Sequence, residues 1–188
     1  MDLVNDKIIK INSDYSFGDF DCGDKDLNEF LTADSIPHSN QLLATTYIIE
    51  KDNRIVLYYS LLNDKIIATE IPDKKLKKQI LGMIPYPKRN YKSFPAMKIG
   101  RLAISKDFQG NKYGTQILDY LKILFITNNR TGCRFITVDA YKESIPFYEK
   151  NGFKFLTNKD EHLDTRQMFF DLIQIFNTPE LKYLFNQN

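Results

Sequence analysis

IGRLAISKDFQGNKYGTQIL, residues Ile99–Leu118, is the stretch on which the reading of this chain turns. Ala96–Ser105 is an apolar run that carries two bases, Lys98 and Arg101, and reads as a buried strand. From Tyr113 the residues Ile117, Leu121 and Leu124 recur at helical spacing, with Leu118 and Phe125 beside them. That predicts a long amphipathic helix over 113–128. A strand therefore enters a turn, and a helix opens from it. The first N–H groups of a helix have no intrahelical partner, and the dipole there is positive. A pyrophosphate suits such a place. Gly110 and Gly114 remove Cβ atoms where backbone would approach a ligand, and Lys112 adds a charge. Two glycines also serve a plain turn. The segment is neither a Walker A loop nor a GxGxxG fingerprint, so taken alone it leaves turn and cradle open.

The elements on either side follow from pattern. Lys7–Ile11 reads as a first strand. Asp21-Cys22-Gly23-Asp24 is a turn that delivers Asp24 as a helix cap, with Asp26 in the first turn and Leu27, Phe30 and Leu31 at helical spacing. The helix is placed at about 25–34. Leu42–Glu50 and Arg54–Leu62 are rich in β-branched and aromatic residues, and Lys51-Asp52-Asn53 between them has turn chemistry, which predicts a hairpin. Ile66–Ala68 extends the sheet. Asp73–Leu81 reads as a short basic helix, followed by a loop punctuated by Pro85, Pro87 and Pro95. Downstream, Arg134–Ala140 is a buried strand. Ser144–Asn151 is a short helix with Pro146 in its first turn and Gly152 as its stop. Gly152–Leu156 and Arg166–Leu172 read as closing strands, and Thr178–Asn188 as a tail. A hairpin-first half followed by a βαβα half implies a mixed α/β sheet with helices on its faces. The domain expectation is one domain over 1–176, with a cofactor-binding core at 96–157 and a tail at 177–188.

The chain has 188 residues, 43% of them hydrophobic, with 14 Phe, 11 Tyr and no Trp. That is enough for a core of useful size. A formal net charge of +2 predicts no polyanion partner from the global balance. The local distribution differs: from Asp73 to Arg101 there is one acid against nine bases. Cys22 and Cys133 match no zinc or redox spacing and predict reduced thiols, Cys133 as a buried strand-edge thiol. His38 and His162 read as surface polar residues, and no metal is expected. No signal peptide and no membrane span are apparent, which makes a soluble cytoplasmic protein the expectation.

A second segment decides between turn and cradle. Phe147–Phe153 reads FYEKNGF, and with Ile99–Leu118 upstream of it the chain resembles the GNAT superfamily of N-acetyltransferases. The likeness is strongest over 96–157. It implies the GNAT acyl-CoA N-acyltransferase fold, a central mixed, mostly antiparallel sheet with splayed parallel strands. It also implies acetyl-CoA as cosubstrate. The family's loop pattern is Q/R-x-x-G-x-G/A. Gln109 and Gly114 fit it, while Lys112 stands where the middle glycine is usual, a substitution that a negative φ at Lys112 would accommodate. Tyr141 stands where the family often has an Asn.

The resemblance implies roles. The pantetheine arm would pair with Leu102, Ala103 and Ile104 as an added strand. The cradle would be Gln109, Gly110, Asn111, Lys112, Tyr113, Gly114 and Thr115, with Tyr141, Phe147 and Tyr148 along the arm. The Leu102 N–H would polarise the thioester carbonyl, and Tyr148 would reprotonate the leaving thiolate after direct attack by an amine in a ternary complex. No catalytic base is identifiable.

Arg101, Lys98 and Arg89 are acceptor-side candidates. The basic stretch 74–101 reads either as a solvated face or as a surface for a polyanion such as tRNA. Phe20–Leu31, FDCGDKDLNEFL, resembles the toxin branch of the family, which acetylates the amino group of aminoacyl-tRNA. An antitoxin and a second copy of the chain are further candidate partners. Acetylation of a small-molecule or protein amine, and a non-catalytic acyl-CoA-binding module, stay open beside that reading.

Overall fold

A two-residue turn joins Lys51 to Arg54. Asp52 and Asn53 both adopt positive φ, 50° and 57°, the conformation that lets a tight hairpin follow the strand twist. The hairpin links β2 (Thr45–Lys51) to β3 (Arg54–Ile67). In this computed structural model, which describes residues 7–71, 73–82, 84, 91–127 and 131–179, the element order is close to that read from sequence. Before the hairpin come β1 (Lys7–Lys10), α1 (Lys25–Glu29) and α2 (Ser35–Asn40). After it come α3 (Lys74–Gly82), β4 (Ser93–Ile104), α4 (Tyr113–Thr127), β5 (Phe135–Tyr141), α5 (Ile145–Lys150), β6 (Lys154–Phe155), β7 (Thr165–Asp171) and α6 (Ile173–Phe176). The strands form a seven-stranded mixed sheet in the order β1-β2-β3-β4-β5-β7-β6. β1–β2, β2–β3, β5–β7 and β6–β7 are antiparallel, with Thr45 opposite Leu61 and Phe135 opposite Asp171. Among the described residues no helix is long and apolar enough to cross a membrane.

Several elements differ from the sequence expectation. β4 takes in Pro95, which the sequence pattern assigns to a loop, and α6 has no counterpart in that pattern. The first helix does not stop at Asp34: a π-helical turn, Phe30–Asp34, carries α1 into α2. Ser35 N–H reaches back to Phe30 O, and this register shift admits Pro37, which has no N–H to give. β3 runs unbroken through Asn63-Asp64-Lys65, where the sequence pattern predicts a break between two strands. There Asp64 accepts the Thr137 hydroxyl, so a polar residue stays extended because it has a partner on β5.

The chain divides into two compact units, residues up to 63 with 99–121, and residues 64–98 with those from 122 on. In the first, Ile11, Phe30, Leu31, Ile48, Ile55, Tyr58 and Ala103 form the core. Tyr58 keeps its hydroxyl satisfied by donating to Leu27 O at 2.6 Å. In the second, Ile66, Ala68, Ile71, Ile80, Phe94, Ala96, Phe135 and Phe169 pack together, with Leu76, Leu81, Ile84 and Leu156 against them. Each of the large side chains stabilises by roughly 1.5–3 kcal/mol on burial. Arg89 and the tail beyond residue 179 lie outside the described residues.

Candidate active site

One candidate segment is the turn between β4 and α4. A 3₁₀ turn, Lys106–Phe108, ends β4 and leads to Gln109. Gly110 then takes φ 79°, Lys112 φ 62°, and α4 opens at Tyr113. Gln116 N–H donates to Lys112 O at 3.1 Å, so the N–H groups of Gly114 and Thr115 precede the helix ladder. The first turn of α4 carries no acid. A Cβ built on Gly110 would meet nothing within 4 Å, so the space over the turn is open. The nearest upstream carboxylate, Asp107, is paired with Arg54. These features suit the diphosphate of a CoA thioester.

Lys112 corrects the expectation of a negative φ. Its left-handed backbone is a conformation that glycine adopts without steric cost, so the chain departs from the family's residue at a position where a glycine's freedom would be used. A non-glycine residue there costs roughly 1–2 kcal/mol. Neighbouring hydrogen bonds hold it. Gln109 Nε2 donates to Cys22 O at 2.9 Å and to Ile104 O at 3.0 Å. Asn111 Nδ2 donates to Phe108 O and Gln109 O, both at 3.2 Å. Both amide side chains thus brace the turn. Phe108 meets buried Tyr113 edge-on at 6.2 Å beneath it.

β4 leads into the turn with Ala103 in the core and Leu102 and Ile104 half-buried. Arg101 lies over the Phe30 ring at 5.0 Å, donates from Nη1 to Gly100 O at 2.8 Å, and comes within 3.9 Å of Asp26. Arg101 Nε and Gln116 Oε1 are buried atoms with no hydrogen-bond partner among the described residues. Lys98 pairs with Asp139. Of the acceptor-side candidates, Arg101 is therefore held against α1, Lys98 against β5, and Arg89 is outside the described residues.

A second candidate segment, in the other compact unit, is α5. Tyr148 is 6% exposed, with Phe147 and Phe153 edge-on at 5.1 and 5.3 Å. The helix closes at Gly152, whose N–H donates to Glu149 O at 2.9 Å at φ 84°. Phe153 N–H returns to Tyr148 O at 3.0 Å. A Cβ at Gly152 would stand 3.0 Å from Phe170 Cε2. Lys122, itself buried, donates to Asn151 O at 3.1 Å and lies 4.6 Å over the Phe170 ring. Burial alone pushes the Tyr148 phenol well above the usual tyrosine range, so it keeps its proton at neutral pH. Tyr141 is exposed at the end of β5, opposite Thr165.

Sequence reading missed the polar ties around the loop. Asp21 accepts Lys106 Nζ at 2.7 Å, and Lys106, Asn28 and the Gly23 N–H together hold its carboxyl down at about 2. The signal lay in the Asp and Asn seven residues apart in Asp21–Asn28, bracketing the capping turn. Both thiols are free and half-buried, and burial pushes Cys22 up and Cys133 up to about 11. His38 is half-buried edge-on to Phe30 at 5.3 Å rather than free on the surface.

A model of the acetyltransferase (GNAT) domain matches residues 69–165, just over half of the chain. Among solved structures, AtaT complexed with acetyl-methionyl-tRNAfMet is 26% identical at a TM-score of 0.72, covering 91% of this chain and 97% of that one. A tyrosine-to-phenylalanine variant of KacT is 23% identical at a TM-score of 0.72, covering 90% of this chain and 96% of that one. AtaTR bound with acetyl-CoA is 23% identical at 0.72, covering 92% and 97%. At 23% the likeness is one of fold. The helix-opening turn, the buried tyrosine of FYEKNGF and the domain match agree: the chain belongs to the GNAT family and is an N-acetyltransferase that uses acetyl-CoA.

Proposed function

We propose that this enzyme moves the acetyl group to a primary amine by direct attack in a ternary complex, and that the amine is that of an aminoacyl-tRNA. The observation that carries the acceptor assignment is α3. Its sequence, KKLKKQILG, puts four lysines on nine residues with no acid among them. Lys74, Lys75 and Lys78 are exposed, and Lys77 is half-buried. Lys74 and Lys78 are four apart, and like charges at that spacing oppose helix formation. Lys74 and Lys75 also sit at the positive end of the dipole. Asp73 offsets this by accepting the N–H groups of Lys75 and Leu76 at 2.7 and 3.2 Å. A helix that carries this cost on its surface fits a polyanion. The likeness to AtaT, solved with an acetylated aminoacyl-tRNA, supports the same acceptor.

In this reading Gly110, Lys112, Gly114 and Thr115 hold the diphosphate, and Leu102 and Ile104 hold the arm. Acetyl-CoA supplies an acyl group activated as a thioester. The Leu102 N–H takes the negative charge that develops on the carbonyl oxygen as the amine adds to its carbon. As the C–S bond breaks, the Tyr148 hydroxyl gives its proton to the departing sulfur and later recovers one from solvent. The phenol holds the proton this step needs, and because burial makes it a weaker acid it gives that proton up only as charge builds on the sulfur. The ammonium proton of the acceptor leaves to water.

An antitoxin partner belongs to the same reading, since AtaT has been solved with the C-terminus of the antitoxin AtaR. The test is growth on expression. Arrest relieved by Tyr148→Phe supports the assignment, and harmless expression of active enzyme counts against it.

A further inference from the structure

The turn Asp21-Cys22-Gly23-Asp24 meets the cofactor loop at two backbone points. Asp21 O accepts Lys106 N–H at 2.8 Å, and Cys22 O accepts Gln109 Nε2 at 2.9 Å. The residues that own these two carbonyls are held from the other side by one side chain. Asn28 Oδ1 accepts the Cys22 N–H at 3.0 Å and the Cys22 thiol at 3.1 Å. Asn28 Nδ2 donates to Asp21 Oδ1 at 2.9 Å. Asp21 Oδ1 also takes the Gly23 N–H at 2.8 Å, while its Oδ2 takes Lys106 Nζ at 2.7 Å. Gly23, at φ 94°, lets the Lys106 side chain lie close: a Cβ there would stand 3.1 Å from Lys106 Cε.

The loop needs outside support. Gly110 and Lys112 are both left-handed, and Gln109 through Lys112 are exposed. A left-handed lysine persists only where its surroundings determine it. Gln109, tied at once to Cys22 O and Ile104 O, is the member of the loop that reaches back to a fixed body. Whatever sets the Cys22 carbonyl therefore sets Gln109.

We propose that Asn28 is a positioning residue for the acetyl-CoA loop, acting through the carbonyls of Asp21 and Cys22 on Lys106 and Gln109. This rests on the assignment of the loop as the diphosphate cradle. Part of the Phe20–Leu31 motif thereby acquires a physical role, because the helix-capping turn doubles as the abutment of the cofactor loop. Pre-setting the loop removes an ordering cost that acetyl-CoA would otherwise meet on binding.

The experiment is calorimetric titration with acetyl-CoA, together with unliganded melting. Asn28→Ala is expected to weaken Kd about tenfold. Ile48→Val, in the core of the same unit, is expected to lower Tm by roughly 2–4 °C and leave Kd unchanged. In a Gln109→Ala background the further effect of Asn28→Ala shrinks below about threefold, because the tie through Cys22 O is already gone. Should Asn28→Ala not fold, Asn28→Asp replaces it. The new carboxylate faces Asp21, so affinity relative to wild type falls at pH 8 and recovers toward pH 5, where one carboxyl can donate to the other. Wild-type affinity in a folded Asn28 variant, full additivity with Gln109→Ala, or an equal loss in Ile48→Val would overturn the proposal. Wild-type protein that does not bind acetyl-CoA would instead overturn the cradle assignment beneath it.

Discussion

Replacing Lys112 separates two quantities that the wild-type residue combines. Its φ of 62° imposes strain, and in the proposed cradle its ammonium would supply charge. Lys112→Gly removes both. Relief of the left-handed backbone returns roughly 1–2 kcal/mol, and the extra entropy of glycine in the unfolded chain takes back roughly 0.5–1 kcal/mol. The variant should be as stable as wild type or up to about 1.5 kcal/mol more so, a Tm gain of roughly 3–6 °C at most. Lys112→Ala keeps the strain and loses the charge, so it should melt near wild type or below it, and below Lys112→Gly. Both variants lose an exposed charge contact of roughly 0.3–1 kcal/mol, which is about a two- to fivefold weaker Kd for acetyl-CoA. That loss should fade in high salt. Melting and calorimetry at two salt concentrations read all three effects. Equal stability of the Gly and Ala variants would refute the strain argument. Unchanged affinity in both would remove Lys112 from the cradle.

Four further outcomes are expected. Tyr148→Phe should lower kcat by about 10²–10⁴ while leaving acetyl-CoA affinity intact, as single-turnover kinetics with titration can check. A general acid works while protonated and fails as pH rises through its pKa. Because burial raises Tyr148, the wild-type rate should show no alkaline decline below about pH 10. Gly152→Ala, with both a positive φ and a contact at 3.0 Å, should destabilise by roughly 1–3 kcal/mol in denaturant unfolding without a direct effect on the chemistry. Cys133, at about 11, should react with iodoacetamide at pH 8 roughly a hundredfold more slowly than an unperturbed thiol.

Binding of tRNA through α3 should also follow salt steeply. With up to four phosphate contacts, affinity should fall by roughly 30- to 150-fold between 50 and 200 mM salt. Removing Lys74 and Lys78 together should flatten that slope, whereas an unchanged slope would place the acceptor elsewhere.

Much of the fold was legible because its signals are local. The Asp24 cap, the Asp52-Asn53 turn, the helical spacing from Tyr113 and the Gly152 stop each depend on residues a few positions apart. What stayed hidden depends on partners far along the chain. That the Gln109 amide braces the loop is invisible until it is seen on Cys22 O, 87 positions away. Asn63–Lys65 reads as a break until Thr137 is seen on Asp64, 73 positions away. Lys112 departs from expectation for another reason. Residue type sets the cost of a left-handed φ, but the bracing that tolerates it comes from neighbouring amides whose hydrogen bonds the sequence does not display. The extension of the first helix past Asp34 likewise needed the π-helical register that accommodates Pro37.

Transfer of acetyl to the amine of an aminoacyl-tRNA is tested most directly by incubating wild-type enzyme with labelled acetyl-CoA and charged tRNA, alongside total protein and small amines. Label is expected in the RNA fraction, released when the ester to the amino acid is hydrolysed, and strongly reduced with Tyr148→Phe. Label only in protein or small amines would contradict the acceptor, and binding of acetyl-CoA with no fraction labelled would contradict acetyl transfer itself.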